Sequence, residues 1–265
     1  MNNLATFKLV YETRSFSKAA GMLFIAQPTV SAQIKQLEAQ LHTTLFIRNG
    51  RGAVGLTPAA DTLYEKACEI LATWDDVQVH LSHGPAHQQL RLYASHSFAM
   101  YLLPKILPAL NQQFPHIAFS VNVANSQAVQ TAILNHDADL GFIEKPLAAR
   151  GIDRVEYLAD QLVKVGAGEP WLVRESDSGV GYYTRRYLAE QNSAPKTMTV
   201  ASNAVIVELL KSGFGQSIIS KRAVGELPFE DLGEAFLRHF YMISRVGDAG
   251  VQEVKMFLEA WILDS

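Results

Sequence analysis

The sequence predicts an N-terminal all-α winged helix-turn-helix with a long linker helix, followed by a C-terminal α/β domain in two lobes. Three observations carry this. Ser15 to Leu41 reads as two helices joined by a tight turn, the second opened by Gln27-Pro28. Leu56 to Leu81 carries an apolar repeat at alternating intervals of four and three. Beyond Gly84-Pro85 the texture changes to alternating strands and helices, the grammar of an α/β fold with mainly parallel sheets.

Leu4, Phe7 and Val10 recur at helical spacing and open the chain with an amphipathic helix. Ser17 is a natural N-cap for a second helix over 18–24, which buries Ala19, Ala20 and Leu23. The third helix has Pro28 in its first turn, where a missing N–H costs nothing. Its apolar stripe is Val30, Ile34, Leu37 and Leu41, and Thr29, Ala32, Gln33, Lys35 and Gln36 lie opposite. Leu45-Phe46-Ile47 runs into Asn49-Gly50, a tight-hairpin signal, and Val54-Gly55-Leu56 returns, making a two-stranded wing.

Thr57-Pro58 restarts a helix, with Thr as cap and Pro at the first position. Leu56, Ala60, Leu63, Ala67, Ile70, Trp74, Val77 and Leu81 form a heptad seam, the pattern of a paired coil. That seam makes the protein a dimer, with Leu63, Ala67, Ile70, Trp74, Val77 and Leu81 as its contacts. Strands are expected at 90–95, 117–123, 139–144, 171–175, 198–201, 217–220 and 239–245. Helices are expected at 98–114, 127–135, 182–191, 204–212 and 251–262. Two short strand sets imply two lobes, with crossings near Ala159–Gln161 and Gly233–Leu237. The domains so predicted are 1–58, a linker over 59–84 and 88–265. Within the last, lobe I takes 88–159 and 237–265, and lobe II takes 160–236.

Of the 265 residues, 48% are hydrophobic and 18% charged, a globular balance. No apolar run approaches the ~18 residues of a membrane helix, and the N-terminus lacks a signal-peptide pattern, so the expected location is cytoplasmic. One cysteine, Cys68, excludes an internal disulfide. The net charge of −3 hides a partition. Residues 1–60 carry Lys8, Arg14, Lys18, Lys35, Arg48 and Arg51 against Glu12 and Glu38, whereas 61–83 and 84–265 are both net acidic. A nucleic-acid partner is therefore expected on the first segment, since phosphate neutralisation needs local positive charge. Phosphate-loop, nucleophile-elbow and zinc-protease motifs are absent, so neither an enzyme nor a cofactor is expected. His80, His83 and His87 read as linker rather than metal ligands.

These residues carry a resemblance. Phe16-Ser17-Lys18-Ala19-Ala20, Gln27-Pro28-Thr29-Val30-Ser31, Gln33-Ile34, Leu37-Glu38, Leu45-Phe46 and Leu56-Thr57-Pro58-Ala59 resemble the N-terminal signature of LysR-type transcriptional regulators. Shorter pieces extend it to the C-terminal part: Leu102-Leu103-Pro104, Phe114-Pro115, Asp139-Leu140-Gly141, Glu169-Pro170-Trp171 and Gly213-Phe214-Gly215. The resemblance implies DNA binding as dimers or tetramers, antiparallel pairing of linker helices, and a small-molecule effector held between two lobes shaped like a periplasmic binding protein. It also implies that redox sensing, which needs two cysteines in one chain, is not the signal here. Three departures stand out. Ala26 and Ala32 replace a serine and an often basic residue, the wing keeps only Arg48 and Arg51, and about 20 residues are missing around 164–169. The reader is therefore expected to be lightly charged and the cleft more open, or lobe II smaller.

The expected DNA contacts are Ser15, Ser17 and Lys18 at a helix start, where N–H groups and the dipole favour phosphate, then Gln27, Pro28, Thr29, Ser31, Gln33 and Lys35, with Arg48 and Arg51 on the wing. Glutamine pairs bidentately with adenine. The expected effector contacts lie at strand C-termini: Ser95, His96, Ser97, Ser126, Gln127, Ser178, Ser202 and Asn203, with Asn125 beside them. Hydroxyls and helix starts facing one another suit a small anion, to which a protonated His96 would add charge. The competing reading is a ligand-binding protein whose N-terminal module mediates protein interaction; the basic first segment argues against it.

Overall fold

The computed structural model describes residues 1–48, 54–83, 88–145, 147–175, 178–191 and 194–263, and within them says nothing of the side chains of Arg48, Asp76, Val79, His80, Ser82, His83 and Leu263. Asn49-Gly50, Arg51, His87 and Ser176-Asp177 lie outside the described residues. The chain divides into two compact units, Met1–Ala86 and His87–Ser265.

The first unit has three helices, α1 (Asn2–Thr13), α2 (Phe16–Leu23) and α3 (Gln27–Leu41), then β1 (Phe46–Arg48), β2 (Val54–Leu56) and the long α4 (Pro58–His83). The cap of α2 is Ser15, not Ser17: Ser15 is extended and its Oγ accepts the Lys18 N–H at 3.2 Å. Both serines fit the cap pattern, but Phe16 is buried in the core, which pulls the helix start two residues earlier. The α2–α3 turn is made by Phe24 in the left-handed region (φ 54°), where the Ile25 N–H reaches back to Ala20 O. Phe7, Val10, Ala19, Val30, Ile34 and Leu45 fill the core without exposure above 1%, with the Phe7 and Phe16 rings against Phe46. Leu41, the last expected stripe position, is exposed. The wing pairs antiparallel, Phe46 with Leu56 and Arg48 with Val54. Glu38 Oε1 anchors it to α3 by accepting the Leu45 and Phe46 N–H groups at 2.7 and 3.2 Å. Thr57 caps α4 through the Ala60 N–H.

The second unit is one continuous sheet. Its elements are β3 (Gln88–Ala94), α5 (His96–Tyr101), α6 (Leu103–Gln113), β4 (Ile117–Val123), α7 (Ser126–Leu134), β5 (Leu140–Ile143), β6 (Ile152–Gly166), β7 (Trp171–Val173), α8 (Gly179–Glu190), β8 (Thr197–Thr199), α9 (Asn203–Lys211), β9 (Gln216–Ser220), β10 (Phe229–Asp231), β11 (Leu237–Arg245) and α10 (Gln252–Leu263). The strand order is β4-β3-β5-β11-β6-β9-β7-β8, with β10 on β6. The sheet is mixed: β3 pairs parallel with β4 and β5, and β7 with β8 and β9, but β6 and β11 run antiparallel to all their neighbours. The expected helix over 98–114 is two helices that break at Leu102, because Pro104 in the first turn of α6 has no N–H to continue from α5. The long strand β6 was not expected. Its Asp153, Arg154, Glu156, Asp160 and Lys164 hide the alternation, and pairing on both sides makes it a strand anyway.

Each lobe is packed on both sheet faces. In lobe I one core gathers Leu92, Phe98, Ile106, Leu110, Phe142 and Phe240, and the other Val129, Ile133, Ile143 and Ile243. In lobe II the two are Val163, Leu172, Ile206 and Leu210, then Leu162, Trp171, Ile218 and Phe236. The turn from β6 to β7 is made with Gly166 and Gly168, both at positive φ. A side chain at Gly166 would meet the Gly215 carbonyl at 2.3 Å, so that close approach requires glycine.

Candidate functional site

In the first unit, Ser17, Lys18, Gln27, Pro28, Thr29 and Lys35 are all exposed. Gln27 Nε2 donates to Ser31 Oγ at 2.9 Å, which places both polar groups on the start of α3. Gln33 differs from expectation. It is half-buried, and its Oε1 accepts the Thr6 hydroxyl at 2.6 Å, so the side chain ties α3 to α1 instead of standing free. Arg48 is in β1.

The seam of α4 splits in two. Ala60 and Ala67 are fully buried in the unit's own core, and Leu56 and Leu63 pack against it. Tyr64, next to Leu63, stacks on Tyr11 at 3.9 Å and donates to Glu12 at 2.7 Å, while the Tyr11 hydroxyl donates to Asp61 at 2.8 Å. Burial, then the Asp61 hydrogen bond, pushes the Tyr11 phenol up to about 12. Ala67 and Leu63, expected on a dimer seam, therefore hold α4 to α1. Only the second half remains open: Ile70, Trp74 and Val77 are 42–47% exposed and Leu81 80%. Cys68 is buried beside Tyr64.

In the second unit, the segments that follow strands β3, β4, β5, β7 and β8 meet. Ser95, His96, Asn125, Ser126, Ser178 and Asn203 line one cavity with Glu144, Arg174 and Gly179. Its volume is about 10 Å³, room for roughly one water. Ser178 Oγ caps α8, and Ser126 Oγ accepts the Glu144 N–H at 3.2 Å. Asn203 Nδ2 donates to Ser97 Oγ at 3.1 Å across the two lobes. Three expected members lie elsewhere: Ser97 lines a neighbouring cavity with Tyr101 and Val180. Gln127 is exposed and lines a broad groove with Arg91, Tyr93 and Asp137, because it follows the inward-facing Ser126 by one helix position. Ser202 is taken up as the α9 cap.

The charges around this cavity were not foreseen. Arg238, 2% exposed, donates through Nη1 to Glu144 Oε2 at 2.6 Å, through Nε to Asp160 at 2.8 Å and through Nη2 to Ser97 Oγ at 3.2 Å. Asp160 and Arg238 are register partners on β6 and β11, the strands that pass between the lobes. Ser220 of lobe II donates to Asp160 at 2.6 Å. Arg174, also buried, bonds Asn203 and pairs with Glu175. Burial would push the Glu144 carboxyl up, but Arg238 and the Ser97 and Ser95 groups outweigh it and hold it below the usual carboxylate range. Ser95 Oγ, though near that carboxylate, makes no hydrogen bond of ordinary geometry. His96 is shifted down by burial and by Arg174, so near neutral pH it is an uncharged imidazole and supplies no positive charge. The signal for Glu144 and Arg174 was present: each directly follows an apolar strand, as Ser95 does. Arg238 had none.

The family described as "Bacterial regulatory helix-turn-helix protein, lysR family" matches residues 1–61, and "LysR substrate binding domain" matches 83–261. Among curated relatives, the HTH-type transcriptional regulator CysL of Bacillus subtilis is 29% identical over 238 residues, covering 82% of this chain and 79% of that one. A full-length OxyR variant from Pseudomonas aeruginosa superposes with a TM-score of 0.65 at 17% identity, over 97% of this chain and 92% of that one. The regulatory domain of Synechocystis PCC6803 CcmR in complex with 2-PG superposes with a TM-score of 0.58 at 21% identity, over 65% of this chain and 96% of that one. No helix of the described residues is long and apolar enough to cross a membrane. With a winged helix-turn-helix in one unit, a two-lobed α/β ligand-binding fold in the other and both family matches spanning them, this chain belongs to the LysR family of DNA-binding transcriptional regulators.

Proposed function

We propose that the chain controls transcription by reading an operator with the start of α3 and by binding a small polar anion between the lobes of its second unit. The observation that carries the effector reading is the meeting of hydroxyl, amide and guanidinium groups from five strand ends at one cavity. The CcmR regulatory domain, a neighbour of this shape, is in complex with 2-PG, which is in keeping with a small-molecule ligand here. In this reading Gln27, Thr29 and Lys35 face bases and phosphates, with Ser15, Ser17, Lys18, Pro28 and Ser31 placing the helix and Arg48 and Arg51 serving the wing. Gln33 acts through its bond to Thr6, as a positioning residue.

Two or four copies associate through Ile70, Trp74, Val77 and Leu81, which brings paired helices to half-sites one DNA turn apart. The effector alters the lobe geometry and so the spacing of those helices. The residue blocks 1–58, 59–84 and 88–265 serve as reader, coupler and sensor, in the cytoplasm where the DNA is. Operator selection from random duplexes tests the reader. The expected result is a two-half-site sequence whose affinity falls on Gln27→Ala or Lys35→Ala. Unchanged affinity in both variants would favour a protein-interaction role for the first unit.

A further inference from the structure

The cleft contains its own carboxylate. Glu144 lies at the end of β5, 6% exposed, with Oε1 accepting the Ser97 N–H at 3.3 Å and Oε2 accepting Arg238 at 2.6 Å. Lobe II makes room for it: a Cβ at Gly179, the first residue of α8, would stand 2.5 Å from Glu144 Oε2. Behind it Arg238 is shared by two carboxylates, Glu144 and Asp160, but Asp160 also pairs with Arg222 Nε at 3.6 Å, so Glu144 depends on its share of Arg238. A plain anion entering the cavity meets the Glu144 carboxylate on one wall. On the same cavity stands the buried guanidinium of Arg174, whose counter-ion Glu175 is partly exposed. Each Glu144 oxygen retains a lone pair after its bond within the chain.

We propose that Glu144 sets the specificity of the effector cleft: the ligand is a small oxyanion that also carries a hydrogen-bond donor, a hydroxyl or an ammonium, with its anionic end on Arg174 and its donor on Glu144. This deepens the effector reading above and rests on it. Glu175 is the tethered counter-ion that the ligand's anion replaces. A ligand lacking the donor leaves Glu144 facing a like charge across the cavity, a mismatch that removes affinity. Glu144 is a buried acceptor, so the discrimination should reach about tenfold or more.

The test is a thermal-shift titration of the full chain with matched probes that differ only in the donor: acetate, glycolate and glycine; propionate, lactate and alanine; succinate, malate and aspartate. The expected result is that, in the series that binds, a hydroxy or amino member binds at least about tenfold more tightly than its unsubstituted analogue. Equal affinity of the unsubstituted member would overturn the role of Glu144 and leave the anion cleft standing. Binding by no member of any series would overturn the anion cleft itself, and this proposal with it.

Two variants separate the two arms. Glu175→Gln, at a partly exposed position, is expected to tighten all members of the binding series alike. Glu144→Gln is expected to bring the ratio within each series close to one. A ratio that survives Glu144→Gln assigns the discrimination to another residue and overturns the proposal. Should Glu144→Gln fail to fold, the matched probes on the unaltered chain still decide the matter.

Discussion

The two proposed recognition surfaces of this chain hold their polar groups in opposite ways. At the start of α3, Thr29 and Lys35 are exposed and Gln27 bonds only its neighbour Ser31. In the cleft, Ser97, Asn203, Arg174 and Glu144 are buried and bonded to one another and to Arg238. The first surface is open, so in the proposed reading its binding is governed by charge and salt. The second is satisfied by internal bonds, so the proposed ligand would bind by exchanging them. Such an exchange is how a small molecule shifts the balance between two lobe arrangements.

The largest effect that bears on this contrast is expected at Arg238. Arg238→Gln leaves Glu144 buried without its counter-ion and Asp160 with Arg222 alone, and the second unit should lose ~3–5 kcal/mol of stability in denaturant unfolding. The first unit should unfold as before. A loss below about 1 kcal/mol would mean that water reaches the pair and that the cleft is not closed.

The next effect separates the two halves of α4. Ala67→Leu forces extra volume into a fully buried position and should destabilise the first unit by ~1–3 kcal/mol. Trp74→Ala should leave that stability nearly unchanged and weaken self-association instead, measured by sedimentation. The reverse pattern would move the dimer contact into the first half of the helix.

Smaller again is the operator's salt dependence. With few cations on the reading face, the slope of log affinity against log salt should be no steeper than about −8 for a dimer. Lys35→Ala should flatten it by roughly one unit.

The smallest effect is a pH dependence. The His96 imidazolium is disfavoured in the folded chain by burial and by Arg174, so its folded value lies below the ordinary 6.5. The unfolded chain takes up that proton first. Stability is therefore whole above about pH 6.5 and is lost as the pH falls through the folded value, with unfolding free energy rising with pH between the two. His96→Gln should flatten this part of the pH–stability curve, and an unchanged curve would remove His96 from it.

The first unit was legible in the sequence because its signals are local. Pro28 at a helix start, Thr57 as cap and the Val30-Ile34-Leu37 stripe each act within a few residues, and each lies where expected. The errors arose where distant partners decide. Ser15 won the cap over Ser17 because Phe16 is pulled into the core beside Phe46. Ala67 kept heptad spacing yet belongs to the contact with α1, since a 3.5-residue repeat fits a helix packed on its own domain as well as on a second chain. The charged β6 became a strand through neighbours on both sides. The buried cluster of Glu144, Asp160, Arg174 and Arg238 is scattered over 94 residues between its first and last members, and only the sheet order brings β5, β6, β7 and β11 to one place. The serines and asparagines of the cleft were found because they share one positional rule, the C-terminal ends of strands.

The central claim is that filling the cleft changes how the first unit holds DNA. The direct measurement is operator affinity of the full chain at fixed salt, with and without a saturating amount of the probe giving the largest thermal shift. The account expects a change of at least about fivefold in either direction. Equal affinity with the cleft demonstrably filled would contradict it.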